Sequence, residues 1–578
     1  MMLMLALLTA FAAKAQDLKL LGSNHALKRV EATQRYLLLP VQEREDMATV
    51  RVLANNQQVK QLNIRLAVDK VDYWVPLDLT PHSTLHTPLL LDIVFHGDRR
   101  FTGAMKDFVC WREMKLSDEF DTANREHFRP IYHHTPQYGW MNDPNGMFYK
   151  DGTWHLYYQW NPYGSHWENM TWGHSTSRDL IHWEAQPTAI EPDALGSIFS
   201  GSCVVSEGDI VAFYTSAGQC QTQSMAVSKD NGQTFEKYEG NPVLVSTEED
   251  FRDPKVMWYE PTKRWIMTLA VGQEMRFYSS ANLKDWTYES SFGKEYGCHD
   301  GVWECPDLME LGVRSEESGV RNESSGVKKW MLICNINPGG PFGGSATQYF
   351  IGDFDGHKFT CEHKDTRWMD YGKDHYATVT FNNAPASTPQ SNGQSPSGMG
   401  ANRHVAMAWM SNWQYANQVP TKQFRSANSI PRDLGLFEYN GQTYCSVTPS
   451  KEMLALRGKV TSKLPEAGEI VVDIKGSTEI TLSNALGEQV VMRYDAAART
   501  FSMDRTRTYA SFSEAFPCVT TAPVYGDMRQ LRIFIDRCSI ETFDAEGRMA
   551  MTNLVFPTEP YNNIKVKGGK ATIYEIKN

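Results

Sequence analysis

Apolar and polar residues alternate with a period of two through most of the chain. Segments such as Asn63-Ile64-Arg65-Leu66-Ala67-Val68 and Leu89-Leu90-Leu91-Asp92-Ile93-Val94-Phe95 turn every second side chain to one face, as a half-buried strand does. Between Arg35 and Gly97 this predicts a small β-rich domain. From Pro130 to about Leu436 the alternation becomes a repeat. A short apolar strand returns at residues 154–159, 210–214, 265–270, 330–334 and 405–409. Behind most copies comes a small or polar turn and then an aromatic residue, as in Asp230-Asn231-Gly232-Gln233-Thr234-Phe235 and Asn282-Leu283-Lys284-Asp285-Trp286. That predicts outer hairpins closed by Asp-Gly or Asn-Gly turns. Five β-units of roughly 50 residues, none able to bury both faces by itself, predict a five-bladed β-propeller.

From about Tyr444 the alternation resumes in Glu469-Ile470-Val471-Val472-Asp473-Ile474 and Leu531-Arg532-Ile533-Phe534-Ile535-Asp536, with the spacing of a β-sandwich. Residues 314–329 and 382–402, rich in Ser, Gly, Glu, Pro and Asn, interrupt the pattern and read as surface insertions. The expected chain is all-β: a leader over 1–15, a β-rich domain over 16–115, the propeller over 126–440 and a C-terminal β-sandwich over 444–578.

With 578 residues, 41% of them hydrophobic, the chain can fill several cores. Its first 13 residues are apolar and run into Ala13-Lys14-Ala15, a small-residue pattern expected to be cut before Gln16. No Lys or Arg precedes that run. The mature protein is therefore expected to be periplasmic or secreted. No later stretch reaches the roughly 20 apolar residues of a transmembrane segment. Ten Cys are too sparse for a disulfide scaffold, and no Cys/His spacing fits zinc, so neither a metal nor a cofactor is expected. A net charge of -11 argues against nucleic acid or an anionic membrane as partner and suits a neutral substrate.

The repeat also sorts the chemistry. Asp143 in Trp140-Met141-Asn142-Asp143-Pro144-Asn145-Gly146, Asp253 in Phe251-Arg252-Asp253-Pro254 and Glu304 in Val302-Trp303-Glu304-Cys305-Pro306 each precede a repeated strand. So do Phe199-Ser200-Gly201-Ser202 in the second unit and Asp370-Tyr371-Gly372-Lys373-Asp374 in the fifth. The first strand of a propeller blade lines the central channel, so these segments are expected to converge there. Three carboxylates at one axis form a candidate site for splitting a glycosidic bond.

These motifs, in this order, resemble glycoside hydrolase family 32, the invertases, inulinases, levanases and fructan β-fructosidases. The likeness extends through Gln159-Trp160-Asn161-Pro162, Trp409-Met410-Ser411-Asn412-Trp413 and Ile535-Asp536-Arg537-Cys538-Ser539-Ile540-Glu541. It implies a retaining hydrolase acting on levan, inulin or sucrose, with Asp143 as nucleophile, Glu304 as acid and base, and Asp253 as transition-state stabiliser. Such a double displacement calls for carboxyls roughly 5 to 5.5 Å apart. It also implies a pocket of Asn142, Gln159, Trp167, Phe199, Ser200, Arg252 and Trp413. Crowding is expected to raise the pKa of one acid, with Glu304 the natural candidate. At His166-Trp167-Glu168-Asn169-Met170 the chain departs from the commoner Trp-Gly-Asn-Met, with Glu in place of Gly.

Blander roles are assigned elsewhere. Periodic Trp154, Trp183, Trp265, Trp286 and Trp330 are expected in cores. His133-His134 is expected to be a structural hydrogen-bonding pair, and Cys305 a buried thiol that helps to desolvate Glu304. Asp374 either touches substrate or anchors the channel wall. Competing readings are an endo-acting enzyme of the same family, an inverting furanosidase on the same fold, and a catalytically silent fructan-binding propeller.

Overall fold

The computed structural model describes residues 17–80, 88–97, 104–123, 125–315, 324–385, 403–508 and 512–577. The leader expected over residues 1–15 lies outside them, as do 316–323 and 386–402 within the two expected insertions.

The chain first forms two facing sheets. A five-stranded sheet runs Leu18–Leu20, His25–Glu31, Pro88–Phe95, Ala48–Ala54 and Gln57–Ile64 in spatial order. A three-stranded one runs Tyr73–Asp78, Tyr36–Val41 and Lys115–Ser117. The alternation seen in sequence is the packing: Leu89, Leu91, Ile93 and Phe95 share one buried face and meet Leu37, Leu39, Val75 and Leu77 in a common core. Each such side chain contributes about 1.5–3 kcal/mol.

Five blades follow. Their innermost strands are Gly139–Lys150, Ser197–Ser206, Arg252–Tyr259, Val302–Arg314 and Tyr376–Thr380. The five apolar repeats of the sequence are the second strands, Thr153–Asn161, Asp209–Ala217, Arg264–Val271, Ser324–Asn337 and His404–Trp409. In the outer hairpins an Asp or Asn side chain caps its own turn. Asp179 accepts the N–H groups of Ile181 and His182, Asp230 those of Gln233 and Thr234, Asn282 those of Lys284 and Asp285, and Asp355 those of His357 and Lys358. Two of these turns carry the expected Asn-Gly or Asp-Gly. The other two hold Leu180 and Leu283 at φ 66°, and burial of both leucine side chains offsets that backbone cost. Of the periodic tryptophans, Trp154 is buried and Trp183, Trp265, Trp286 and Trp330 pack half-buried against blade cores.

The ring is closed by Phe424–Arg425, which pairs in parallel with Gly139-Trp140 of the first blade. The fifth blade ends with Arg432–Tyr439 and Gln442–Pro449. The expected start of the last domain at Tyr444 falls inside this hairpin. Alternation reads the same for a last blade strand as for a first sandwich strand, so the period alone does not separate them. Beyond it, the long strands Gly468–Ser483 and Asn563–Ile576 pair along their lengths. The first half of Gly468–Ser483 joins Gln530–Asp536 and the second half joins Gln489–Asp495, building the two layers of the C-terminal sandwich.

Buried charges join sandwich to propeller. His133 lies between Asp536 and Glu541, its Nδ1 and Nε2 each 2.8 Å from a carboxylate oxygen. Arg432 reaches Asp370 at 2.7 Å and also bonds Glu541. Asp374 accepts from Tyr415 Oη and the Leu554 N–H and pairs with Arg505, so it anchors the sandwich. His134 bonds Ser175 and Asn428, and both histidines are structural. Among the described residues no group of His, Cys, Asp and Glu is placed to hold a metal ion, and no helix is long and apolar enough to cross a membrane.

Burial alone would strip His133 of its proton, but the two carboxylates outweigh it and push its pKa up to about 9. A histidine raised in the folded state stabilises it fully below the unfolded value near 6.5, and that contribution is lost as pH rises through 9. The wild-type melting temperature should therefore fall between pH 6.5 and 9, by the equivalent of about 3 kcal/mol. A melt series with His133→Asn should begin lower and lack this fall.

Candidate active site

Each of the five innermost strands carries a β-bulge at the axis, and the first has a second at Gly146-Met147. The breaks in pairing fall at Asn142-Asp143, Phe199-Ser200, Asp253-Pro254, Cys305-Pro306 and Ala377-Thr378. A bulge bends the strand and re-aims its side chains. Asp253 at φ 65°, Cys305 at φ 43° and Ala377 at φ 53° take the left-handed backbone that residues other than glycine rarely adopt. Two glycines of the motifs have steric reasons. A Cβ on Gly146 would come within 2.7 Å of the Trp172 ring, and one on Gly201 within 1.9 Å of the Phe213 carbonyl.

The three acids meet through short contacts. Asp143 Oδ2 accepts from Ser200 Oγ at 2.7 Å and Oδ1 from Asn142 Nδ2 at 3.0 Å. The Cys305 N–H donates to Asp253 Oδ2 at 2.9 Å. The Cys305 thiol lies 3.4 Å from Asp143 Oδ2 and 3.5 Å from Asp253 Oδ2. It therefore joins the two aspartates, where the sequence placed it against Glu304, and burial pushes its own pKa far up, so it stays a thiol. Arg252 donates to Glu304 Oε1 from Nε at 3.1 Å and from Nη2 at 3.0 Å. Asp250 and Gln221 hold the opposite side of the same guanidinium. Tyr376 Oη donates to Glu304 Oε2.

Burial dominates the electrostatics. It raises the Asp143 carboxyl, with the charge of Glu304 adding to the shift. Asp253 is raised to about 7 by burial, with Glu304 and Asp143 acting in the same direction and Arg252 against.

Of the residues that the resemblance places in a pocket, Asn142, Ser200 and Arg252 bond the acids directly, and the others make different contacts. Trp140 Nε1 donates to Asn142 Oδ1 at 2.8 Å. Gln159 is buried, and its Nε2 has no acceptor within the protein. Trp413 stacks on Trp140 at 5.7 Å. Trp167 is 40% exposed and meets Phe199 edge-to-face at 6.0 Å. The sequence reading missed Tyr376, Gln221 and Asp250. Tyr376 was within reach of the repeat, since it begins the innermost strand of the fifth blade, whereas Gln221 sits on the third strand of the second blade, which no motif marks.

Three family models match this chain: the glycosyl hydrolases family 32 N-terminal domain over residues 133–447, the glycosyl hydrolases family 32 C terminal over 443–577, and a domain of unknown function (DUF4980) over 22–132. The chain belongs to glycoside hydrolase family 32. It is 39% identical to a levanase of Bacillus subtilis over 78% of this chain and 71% of the relative. It is 34% identical to an extracellular exo-inulinase of Aspergillus niger over 75% and 90%. To invertase 1 of Saccharomyces cerevisiae it is 36% identical over 75% and 91%. The crystal structure of an exo-inulinase from Aspergillus awamori superimposes with a TM-score of 0.69 at 31% identity, covering 79% of this chain and 99% of that one. As a family 32 member the protein is a glycoside hydrolase on a five-bladed propeller with a C-terminal sandwich.

A carboxyl raised in the folded state binds a proton that the unfolded chain has lost, so it lowers stability as pH climbs from about 4 through 7. Asp253→Asn should therefore melt like the wild type at pH 4 and above it at pH 8, the gain corresponding to at most about 4 kcal/mol. Paired thermal melts at the two pH values check this.

Proposed function

We propose that this hydrolase releases terminal fructose from β-fructans, levan or inulin, and from sucrose, with retention at C2. Asp143 is the nucleophile: its carboxylate oxygen attacks C2 while the glycosidic C–O bond breaks and Glu304 gives its proton to the leaving oxygen. Water then attacks C2 of the fructosyl ester, Glu304 takes the water proton, and the bond to Asp143 breaks. Asp253 holds ring hydroxyls, and Arg252 orients Glu304 beside them.

The observation that carries this reading is the joining of three blades' acids by Ser200, Cys305 and Arg252, in a chain related to a levanase, an exo-inulinase and an invertase. Asp143 is aimed by donors on both oxygens, as an attacking carboxylate must be. The buried Gln159 amide that lacks a protein acceptor suits a ligand rich in hydroxyls. A silent binding protein has no use for this arrangement, since holding three acids in a buried cluster costs stability. Export belongs to the same reading, supported by the apolar leader and the extracellular Aspergillus relative.

Levan, inulin and sucrose incubated separately with the enzyme should each yield free fructose from the first minutes on a chromatogram. An early ladder of oligosaccharides would replace exo- by endo-cleavage, and no product from any of them would sink the proposal. Glu304→Gln should lower kcat on fructan by about 10²–10⁴-fold. On an aryl fructoside, whose leaving group needs no proton, the same variant should lose far less of the first step. Equal losses on both substrates would remove Glu304 from the role of acid.

A further inference from the structure

The N-terminal domain, matched by the model of a domain of unknown function, touches the propeller at the segment that carries Trp167. Among the contacts that cross this junction, three sets bear on that segment. Tyr163 of the propeller is buried within the core of the N-terminal sheets. Glu43 projects the other way. Its carboxylate accepts from Ser165 Oγ at 2.8 Å, from Tyr73 Oη at 2.8 Å and from Arg425 Nη2 at 3.0 Å, and His166 Nε2 lies 3.0 Å from it. Burial would raise this carboxyl, but the neighbouring His166 ring and the Arg425 charge outweigh it and hold Glu43 at about 2. Arg425 in turn donates to the carbonyls of Ser165 and Asn417, and Asn417 Oδ1 accepts the Trp167 N–H at 3.1 Å.

The third contact involves the free edge of the five-stranded sheet. Asn63, on the edge strand Gln57–Ile64, gives its backbone N–H to Asn169 Oδ1 at 2.8 Å and receives Asn169 Nδ2 on its carbonyl at 2.8 Å. An edge strand leaves such groups without a ladder partner, and the Asn169 amide supplies one. Asn63 Nδ2 donates to Glu168 Oε1 at 3.2 Å. Glu168 is the residue that stands where the family more often has glycine, and a glycine has no side chain to make this bond. Trp167 is thus held from both sides, and its ring meets Phe199, whose neighbour Ser200 bonds Asp143.

We propose that the N-terminal domain is a positioning element of the active site. Its Glu43 and Asn63 clasp residues 163–170 and fix Trp167 as a rigid wall at the pocket mouth, where the fructan chain enters. The inference rests on the fructosidase reading for its substrate, and Glu43 and Asn63 act only through Trp167. A fixed aromatic wall lowers the entropy lost when a sugar chain binds, so the clasp acts on KM.

The test uses the full chain carrying Glu43→Gln and Asn63→Ala, singly and together. Asn63→Ala removes the bond to Glu168 and leaves the Asn63 backbone pair with Asn169 in place. Glu43→Gln keeps an acceptor oxygen but leaves the Arg425 charge uncompensated, so thermal melts precede the assays, and Asn63→Ala, which removes no charge, carries the test where Glu43→Gln does not fold. The double variant should raise KM for fructan oligosaccharides about five- to tenfold, with kcat within about twofold. Trp167→Ala should do the same, and in the Trp167→Ala background the two clasp substitutions should add nothing further. Hydrogen exchange of residues 163–170 should rise in the double variant without substrate. An unchanged KM, a fall in kcat alone, or effects that multiply on Trp167→Ala would overturn the proposal, as would unchanged exchange. If the wild type releases no fructose, the fructosidase reading fails by itself, and the exchange measurement still decides whether the clasp orders this segment.

Discussion

Three carboxylates cannot share a dry axis unless something answers their repulsion, and Arg252 does so here. Its guanidinium takes Glu304 on one side and Asp250 with Gln221 on the other. The second, third and fourth blades are thereby tied to one cation, whose proton is held more tightly than usual by the acids around it. The compensation is incomplete, because Asp253 is still raised to about 7. That residual strain is the condition for chemistry. A site in which every acid were fully paired would have no carboxylate free to meet a substrate. Two and three residues further along the same strands, the buried Lys255–Asp307 pair at 2.9 Å and its bonds to Thr380 fasten the third, fourth and fifth blades. There the charges balance and serve only to hold the walls.

Much of this was legible because the repeat is a physical necessity: a blade that cannot bury both faces must recur. The apolar runs at Trp154, Ile210, Trp265, Trp330 and Val405 all lie on second strands, and the acids precede them as the geometry of a blade requires. The bulges were not read, since they depend on the partner strand's register. A trace of them was nevertheless present. Pro144, Pro254 and Pro306 sit inside strands, where a residue without an N–H is tolerated only at edges, first positions or bulges. The motifs Asp143-Pro144, Asp253-Pro254 and Cys305-Pro306 therefore announced the bulges along with the acids. Asp374 was the harder case. It has the same sequence setting as the catalytic candidates, and the positions of Arg505 and Leu554, far along the chain, turn it to the sandwich.

The interfaces between domains follow one rule. Each uses a buried network of charged side chains in direct contact: His133, Arg432, Asp370 and Glu541 toward the sandwich, and Glu43 with Arg425 toward the N-terminal sheets. Buried pairs of this kind add little net stability over apolar packing, because desolvation cancels much of their attraction. They are intolerant of misalignment, however, since a buried charge moved off its partner costs several kcal/mol. Apolar surfaces could slide; these cannot. The proposed active site is assembled from blades and loops far apart in sequence, so that intolerance is what the site requires of its supports.

Ring closure and domain docking converge on one short strand. Phe424–Arg425 adds its backbone to Gly139-Trp140, two residues before Asn142-Asp143, and so fixes the first blade's innermost strand from outside. The Arg425 side chain on that strand gathers the carbonyls of Ser165, Asn417, Val419 and Thr421 and pairs with Glu43. A two-residue strand has too few ladder bonds to hold itself in place. Its guanidinium supplies the rest, and it is nearly fully buried, so it needs the Glu43 carboxylate to remain there. The main chain of this strand thus braces the backbone that leads to Asp143, while its side chain, balanced by Glu43, holds the segment that carries Trp167, and the family's two-domain core carries its third domain at the point where its own ring closes.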